Sequence, residues 1–74
     1  MAEPMIHTVF ASGAWVNKRE NDDTVISRHE TKDEAVAAGR AEAMRVKTEH
    51  IIHNQDGTIG ERSSYGNDPA DRPG

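Results

Sequence analysis

One stretch of this chain, Thr31 to Lys47, carries the caps and the periodicity of a helix, and its apolar arc is built from small residues. Thr31-Lys32-Asp33-Glu34 fits the capping box, in which the Thr hydroxyl accepts from the third helical N–H and the Glu side chain reaches back to the cap. From Glu34 to about Lys47 helix formers dominate. Acids lie in the first turn, and Arg45 and Lys47 lie in the last, where the helix dipole favours cations. At about 100° per residue, Ala35, Val36, Gly39, Ala43 and Val46 share one arc, while Glu34, Arg40, Glu42, Arg45 and Lys47 fall outside it or on its edges. A stripe of Ala and Gly buries little area per residue but lets the helix axis approach its neighbour closely. The arc therefore predicts a helix lying flat on a sheet, against Trp15. Gly39 gives up about 1 kcal/mol of helix propensity relative to Ala, which close packing would explain.

The flanking segments read as strands. Ile6 to Phe10 and Ala14 to Lys18 are β-branched and aromatic runs separated by Ala11-Ser12-Gly13, a small-residue loop of hairpin length. Asn21-Asp22-Asp23 is turn-prone, and Thr24 to His29 returns to strand character around Val25 and Ile26. After the helix, His50 to Asn54 and Thr58 to Arg62 flank Gln55-Asp56-Gly57, and Asp-Gly between strand-like runs is the strongest short-range hairpin signal. Beyond Tyr65 the chain holds breakers and small polar residues, too poor in apolar content to offset ordering entropy. The expectation is an α+β domain over residues 1–65 in the order β-β-β-α-β-β, two layers, one helix on a small antiparallel or mixed sheet, with a flexible tail at 66–74.

Composition sets what such a domain can do. At 74 residues folding buries only roughly 60% of the unfolded chain's surface, so the core is thin. Cysteine is absent, which removes disulfides, thiolate zinc sites and cysteine nucleophiles together. No basic segment followed by an apolar run opens the chain, and no stretch approaches the roughly 20 apolar residues that span a bilayer, so a cytoplasmic location without membrane attachment is expected. Nine Lys and Arg against thirteen Asp and Glu give a net charge of −4, which disfavours binding driven by phosphate neutralisation.

Taken along the chain, His7, then Gly13-Ala14-Trp15, Thr31 with Glu34-Ala35, His53 before Asp56-Gly57, and Ser64-Tyr65-Gly66-Asn67-Asp68-Pro69 form a pattern that resembles the bacterial domain-of-unknown-function family 2188. The resemblance spans nearly the whole chain, and its last segment is the most specific. It implies a small stand-alone bacterial protein and no established activity. Thr8 and Asn17 depart from it, standing where the family is more apolar, so the buried face of the first hairpin stays open at this point.

Motifs for chemistry are weak. His50 and His53, three apart on a strand, point to opposite faces; His7 and His53 can meet only across adjacent strands and are the one metal idea left, but structural or surface roles are the commoner fate of each His, and no metal or other cofactor is expected. Ser63 and Ser64 beside Tyr65 have no base at a spacing that identifies a triad. Asp22-Asp23 and Asp68 with Asp71 lack the alternation of a calcium loop, and Gly57-Thr58-Ile59-Gly60 precedes no helix that would complete a phosphate cradle. These absences lead to a non-catalytic interaction module with no small-molecule substrate, binding a protein partner or itself through a sheet face or edge, with Trp15, Arg62, Ser64 and Tyr65 as candidate contacts. Ile51 and Ile52 cannot both lie beneath the helix, and neither can Val25 and Ile26, so an outward apolar patch and a weak homodimer are expected. The alternative is a nucleic-acid-binding domain using Arg40, Arg45 and Lys47 with Lys18, Arg19 and Arg62.

Overall fold

The computed structural model describes residues 4–21 and 24–66. It contains β1 (Ile6–Ala11), β2 (Ala14–Arg19), β3 (Val25–His29), α1 (Lys32–Val46), β4 (Glu49–His53) and β5 (Ile59–Ser64), which is the order read from the sequence. The turn at Asp22-Asp23 and the tail beyond Gly66 lie outside the described residues. The five strands form one mixed sheet in the order β3-β2-β1-β4-β5. β1 and β4 run parallel, and every other neighbouring pair is antiparallel.

Local chemistry accounts for the turns and caps. Ser12 and Gly13 both take positive φ, 51° and 79°, the left-handed pair that a two-residue hairpin loop between right-twisted strands requires. Thr31 is extended, and its hydroxyl accepts from the Glu34 N–H at 3.2 Å, which is the threonine half of the predicted capping box. Lys47 closes the helix in the left-handed conformation, one residue after the last helical turn. In the β4–β5 hairpin Gly57 has φ 96°, and Asp56 Oδ1 accepts from both the Thr58 N–H and the Thr58 hydroxyl. Those two donors hold the Asp56 carboxyl below its usual range.

The chain leaves β3 at one edge and must return to β4, beside β1 near the far side of the sheet. Helix α1 makes that crossing over the sheet, which is why β1 and β4 end up parallel. It packs on β1, β2, β3 and β4. Partners across a ladder point to one face, so the registers Thr8↔Asn17, Phe10↔Trp15, Ile6↔His50 and Thr8↔Ile52 place these residues together under the helix. His7, Val9, Ala14, Val16 and Ile51 take the opposite face.

The helix rests on the sheet through Ala35, Gly39 and Ala43, all buried. Gly39 is the closest approach: a Cβ there would stand 2.6 Å from Asn17 Oδ1, 2.7 Å from His50 Nε2 and 2.9 Å from Thr8 Oγ1. Trp15 lies on the same face, 8% exposed, with Phe10 beside it at 5.2 Å between ring centroids and Lys32 Nζ 5.3 Å from its ring. The floor under Gly39 is thus polar, and Trp15 belongs to the end of the interface nearer the helix start. Substituting Ala for Gly39 should destabilise the fold by about 1–3 kcal/mol through overpacking, against the gain of about 1 kcal/mol that propensity alone would give. Denaturant unfolding of Gly39→Ala checks the sign; a stabilised variant would contradict the packing described.

Candidate functional site

Beneath α1 a belt of polar side chains crosses four strands. Thr8, Asn17 and His50 are each 0% exposed. Asn17 Nδ2 donates to the helical carbonyl of Ala35 at 2.9 Å and to Ser27 Oγ at 3.1 Å, which fixes its amide so that Oδ1 faces Thr8. The Thr8 hydroxyl donates to that Oδ1 at 2.5 Å, and its oxygen lies 2.7 Å from His50 Nε2. The Thr8 proton being spent on Asn17, His50 must be the donor through Nε2–H. The belt continues from Ser27 Oγ to His29 Nε2 at 3.0 Å. His50 Nδ1, also buried, finds no partner among the described residues. Burial is the largest influence on this imidazole and holds its pKa below the usual value, with Arg40 acting in the same direction. His50 is therefore a neutral core residue.

The helix-free face carries a second chain of ring nitrogens. His7 Nδ1 lies 2.8 Å from His53 Nε2, and His7 Nε2 lies 2.7 Å from Glu20 Oε1. With Glu20 accepting from Nε2–H, His7 presents Nδ1 as the acceptor for His53. His7 and His53 do meet across β1 and β4, as their spacing allowed, while His50 faces the other way. Among the described residues no three His, Asp or Glu side chains group as metal ligands. Beside this chain, Arg62 Nε and Nη2 donate to Glu49 Oε1 at 3.1 and 3.0 Å.

The expected apolar patch is corrected by burial. Ile51 is 3% exposed on the helix-free face, where its ladder neighbours His7 and Arg62 flank it, and Ile52 is 5% exposed under the helix. Of the second pair, Val25 and Ile26, Val25 is exposed, at 57%, as expected of one member; the other exposed large apolar residues among those described are Met44 at 53% and Ile59 at 62%. Two of these, Val25 and Ile59, begin the edge strands β3 and β5.

At the β5 edge the sheet is least covered. Among the described residues α1 has no packing against β5, and every β5 residue but Ser63 is exposed. A groove of about 480 Å³ opens between α1 and this hairpin, lined among others by Lys32, Val36, Arg40, Ile52, Asn54 and Glu61. Arg62 and Ser64 stand on β5, and Tyr65 follows, half-buried, its N–H donating to the Thr48 carbonyl at 3.2 Å. Gly66 then packs on the Lys47 carbonyl so closely that no Cβ fits, which gives the Ser-Tyr-Gly string a structural reason. The structure thus brings Arg62, Ser64 and Tyr65 together, whereas Trp15, taken from the sequence as a candidate contact, lies buried on the helix side of β2 and serves the core. That burial agrees with the helix seat against Trp15 that the small-residue arc predicts, and removes Trp15 from the candidate contacts.

A family model described as an uncharacterized protein conserved in bacteria (DUF2188) matches residues 6–65. No curated protein matches the chain, and no solved structure does.

The neutral His50 gives stability a pH dependence. Its folded-state pKa is lowered, so as pH falls the unfolded chain takes up this proton first and stability declines below about pH 6.5 until the folded value is reached. Thermal unfolding followed from pH 7.5 to 5 should show that decline, and His50→Gln should flatten it. An equal slope in both proteins would contradict the assignment.

Proposed function

Because the chain belongs to the DUF2188 family of uncharacterized bacterial proteins, a membership that assigns no activity, we propose a role from the geometry: a small non-catalytic interaction module that receives an extended segment of a protein partner along the β5 edge. One observation carries this reading. Among the described residues the helix covers four strands and leaves the fifth with its outer side unpaired, a template of backbone donors and acceptors for another strand. Ile59, the most exposed large apolar residue among those described, opens that strand, and the groove alongside offers Val36 and Ile52 to a partner side chain. Arg62 and Ser64 are the contacts retained from the sequence, with Tyr65 supporting the strand end. A bacterial cytoplasmic setting is part of the same proposal, in keeping with a cysteine-free chain.

Nucleic-acid binding has less support. Arg45 and Arg62 are engaged by Glu42 and Glu49, and the net charge is −4. Photo-crosslinking in bacterial cells separates the readings by position. A probe replacing Ile59 should give discrete protein adducts, and one replacing Met44, similarly exposed on the helix, should not. Equal labelling from both positions, or an oligonucleotide affinity that falls steeply with salt, would overturn the proposal.

A further inference from the structure

We infer that β5 is patterned to refuse a second copy of itself and to accept a different strand, one with an acidic residue opposite Arg62 followed by a basic residue opposite Glu61. The inference rests on the strand-addition reading and adds the chemistry of the partner.

The argument starts from faces. Glu61 pairs with Ile52, which pairs with Thr8 under the helix, so Glu61 points to the helix side. Arg62 pairs with Ile51, which pairs with His7, so Arg62 points to the helix-free side. Two copies joined edge to edge as antiparallel strands are related by a two-fold axis perpendicular to the sheet. Under that axis each residue keeps its face, and ladder partners must share a face. Glu61 therefore cannot meet Arg62 of the other copy. The ladder shifts register between Glu61 and Ile59, so regular alternation runs from Glu61 to Ser64; registers centred on Glu61 or on Arg62 place Glu61 against Glu61 or Arg62 against Arg62, and like charges directly opposite are destabilising. Sliding further leaves only residues 62–64 paired at one end, and at the other brings Ile59 against Glu61, which lie on opposite faces. The symmetric self-pairing open to an exposed edge is thus blocked by two adjacent side chains of opposite sign.

A non-identical strand escapes this constraint, since no symmetry ties its residues to those of β5. Running antiparallel, it meets Arg62 before Glu61, so the complementary order is acidic and then basic. The site is ready for both charges. Glu49 takes Nε and Nη2 of Arg62, leaving Nη1 for a second carboxylate. The Glu61 carboxylate is exposed at the rim of the groove.

The test uses two capped synthetic peptides, Thr-Val-Glu-Lys-Val-Thr and Thr-Val-Lys-Glu-Val-Thr, titrated to millimolar concentration against the labelled protein and followed by amide NMR. The first should give saturable shifts centred on β5 and bind at least tenfold tighter than the second. In the double variant Glu61→Lys with Arg62→Glu the preference should invert. Equal affinities would overturn the charge rule while leaving strand addition standing, and failure of both peptides to shift β5 would remove strand addition itself. Sedimentation supplies the self-pairing arm: the wild type should show no β5-mediated dimer, and Glu61→Thr with Arg62→Thr should gain one. A wild-type dimer abolished by Arg62→Pro would overturn the refusal.

Discussion

The contact on which this fold depends is the seating of Gly39 over Thr8, Asn17 and His50. A helix whose buried stripe is Ala35, Gly39 and Ala43 brings little apolar area, so its stability must come from how near it lies to the sheet. At that separation three polar side chains fill the interface and satisfy one another in a directed series, from His50 Nε2–H to Thr8, from Thr8 to Asn17, and from Asn17 to the helix carbonyl of Ala35. The last of these bonds ties sheet to helix backbone. A fully buried polar network is costly when any member is missing and specifying when all are present. The belt consequently fixes where along the sheet the helix sits, which a smooth stripe of Ala and Gly would leave loosely determined.

That position has a consequence at the sheet edge. Packed on β1, β2, β3 and β4, a helix of fifteen residues leaves β5 and the groove beside it open. On the opposite face of the sheet polar contacts run over the strands: Glu20, His7 and His53 in one chain, Arg62 with Glu49 in another, and Ile51 enclosed between them. The β5 edge, where strand addition is proposed, carries an exposed Ile59 and two adjacent charges of opposite sign.

Much of this was legible in the residues, where local chemistry decides the outcome. The Thr31 cap, the Asp56-Gly57 hairpin and the Ala-Gly arc are each set within a few residues, and the element order followed from them. The pairing of β1 with β4 was not, since it joins segments that no local signal relates. The polar belt is half visible in sequence: Thr8 and Asn17 depart from an apolar pattern, but that they and His50 lie under Gly39 requires the register of three strands. Trp15 and Ile51 mark two limits of pattern reading. The helix arc seats Trp15 but not its neighbours' faces, and strand parity separates Ile51 from Ile52, yet the exposure of a residue on an open face depends on the reach of its neighbours, and His7 and Arg62 enclose Ile51.

The belt is the claim from which the helix position and the open edge both follow, and His50 reports on it directly. Its ring nitrogens can be observed by nitrogen-15 NMR of histidine-labelled protein. The account predicts a neutral ring carrying its proton on Nε2, with Nδ1 bare, persisting below the pH at which an ordinary histidine becomes charged. A His50 protonated on Nδ1, or one that titrates like a solvent-exposed imidazole, would contradict it.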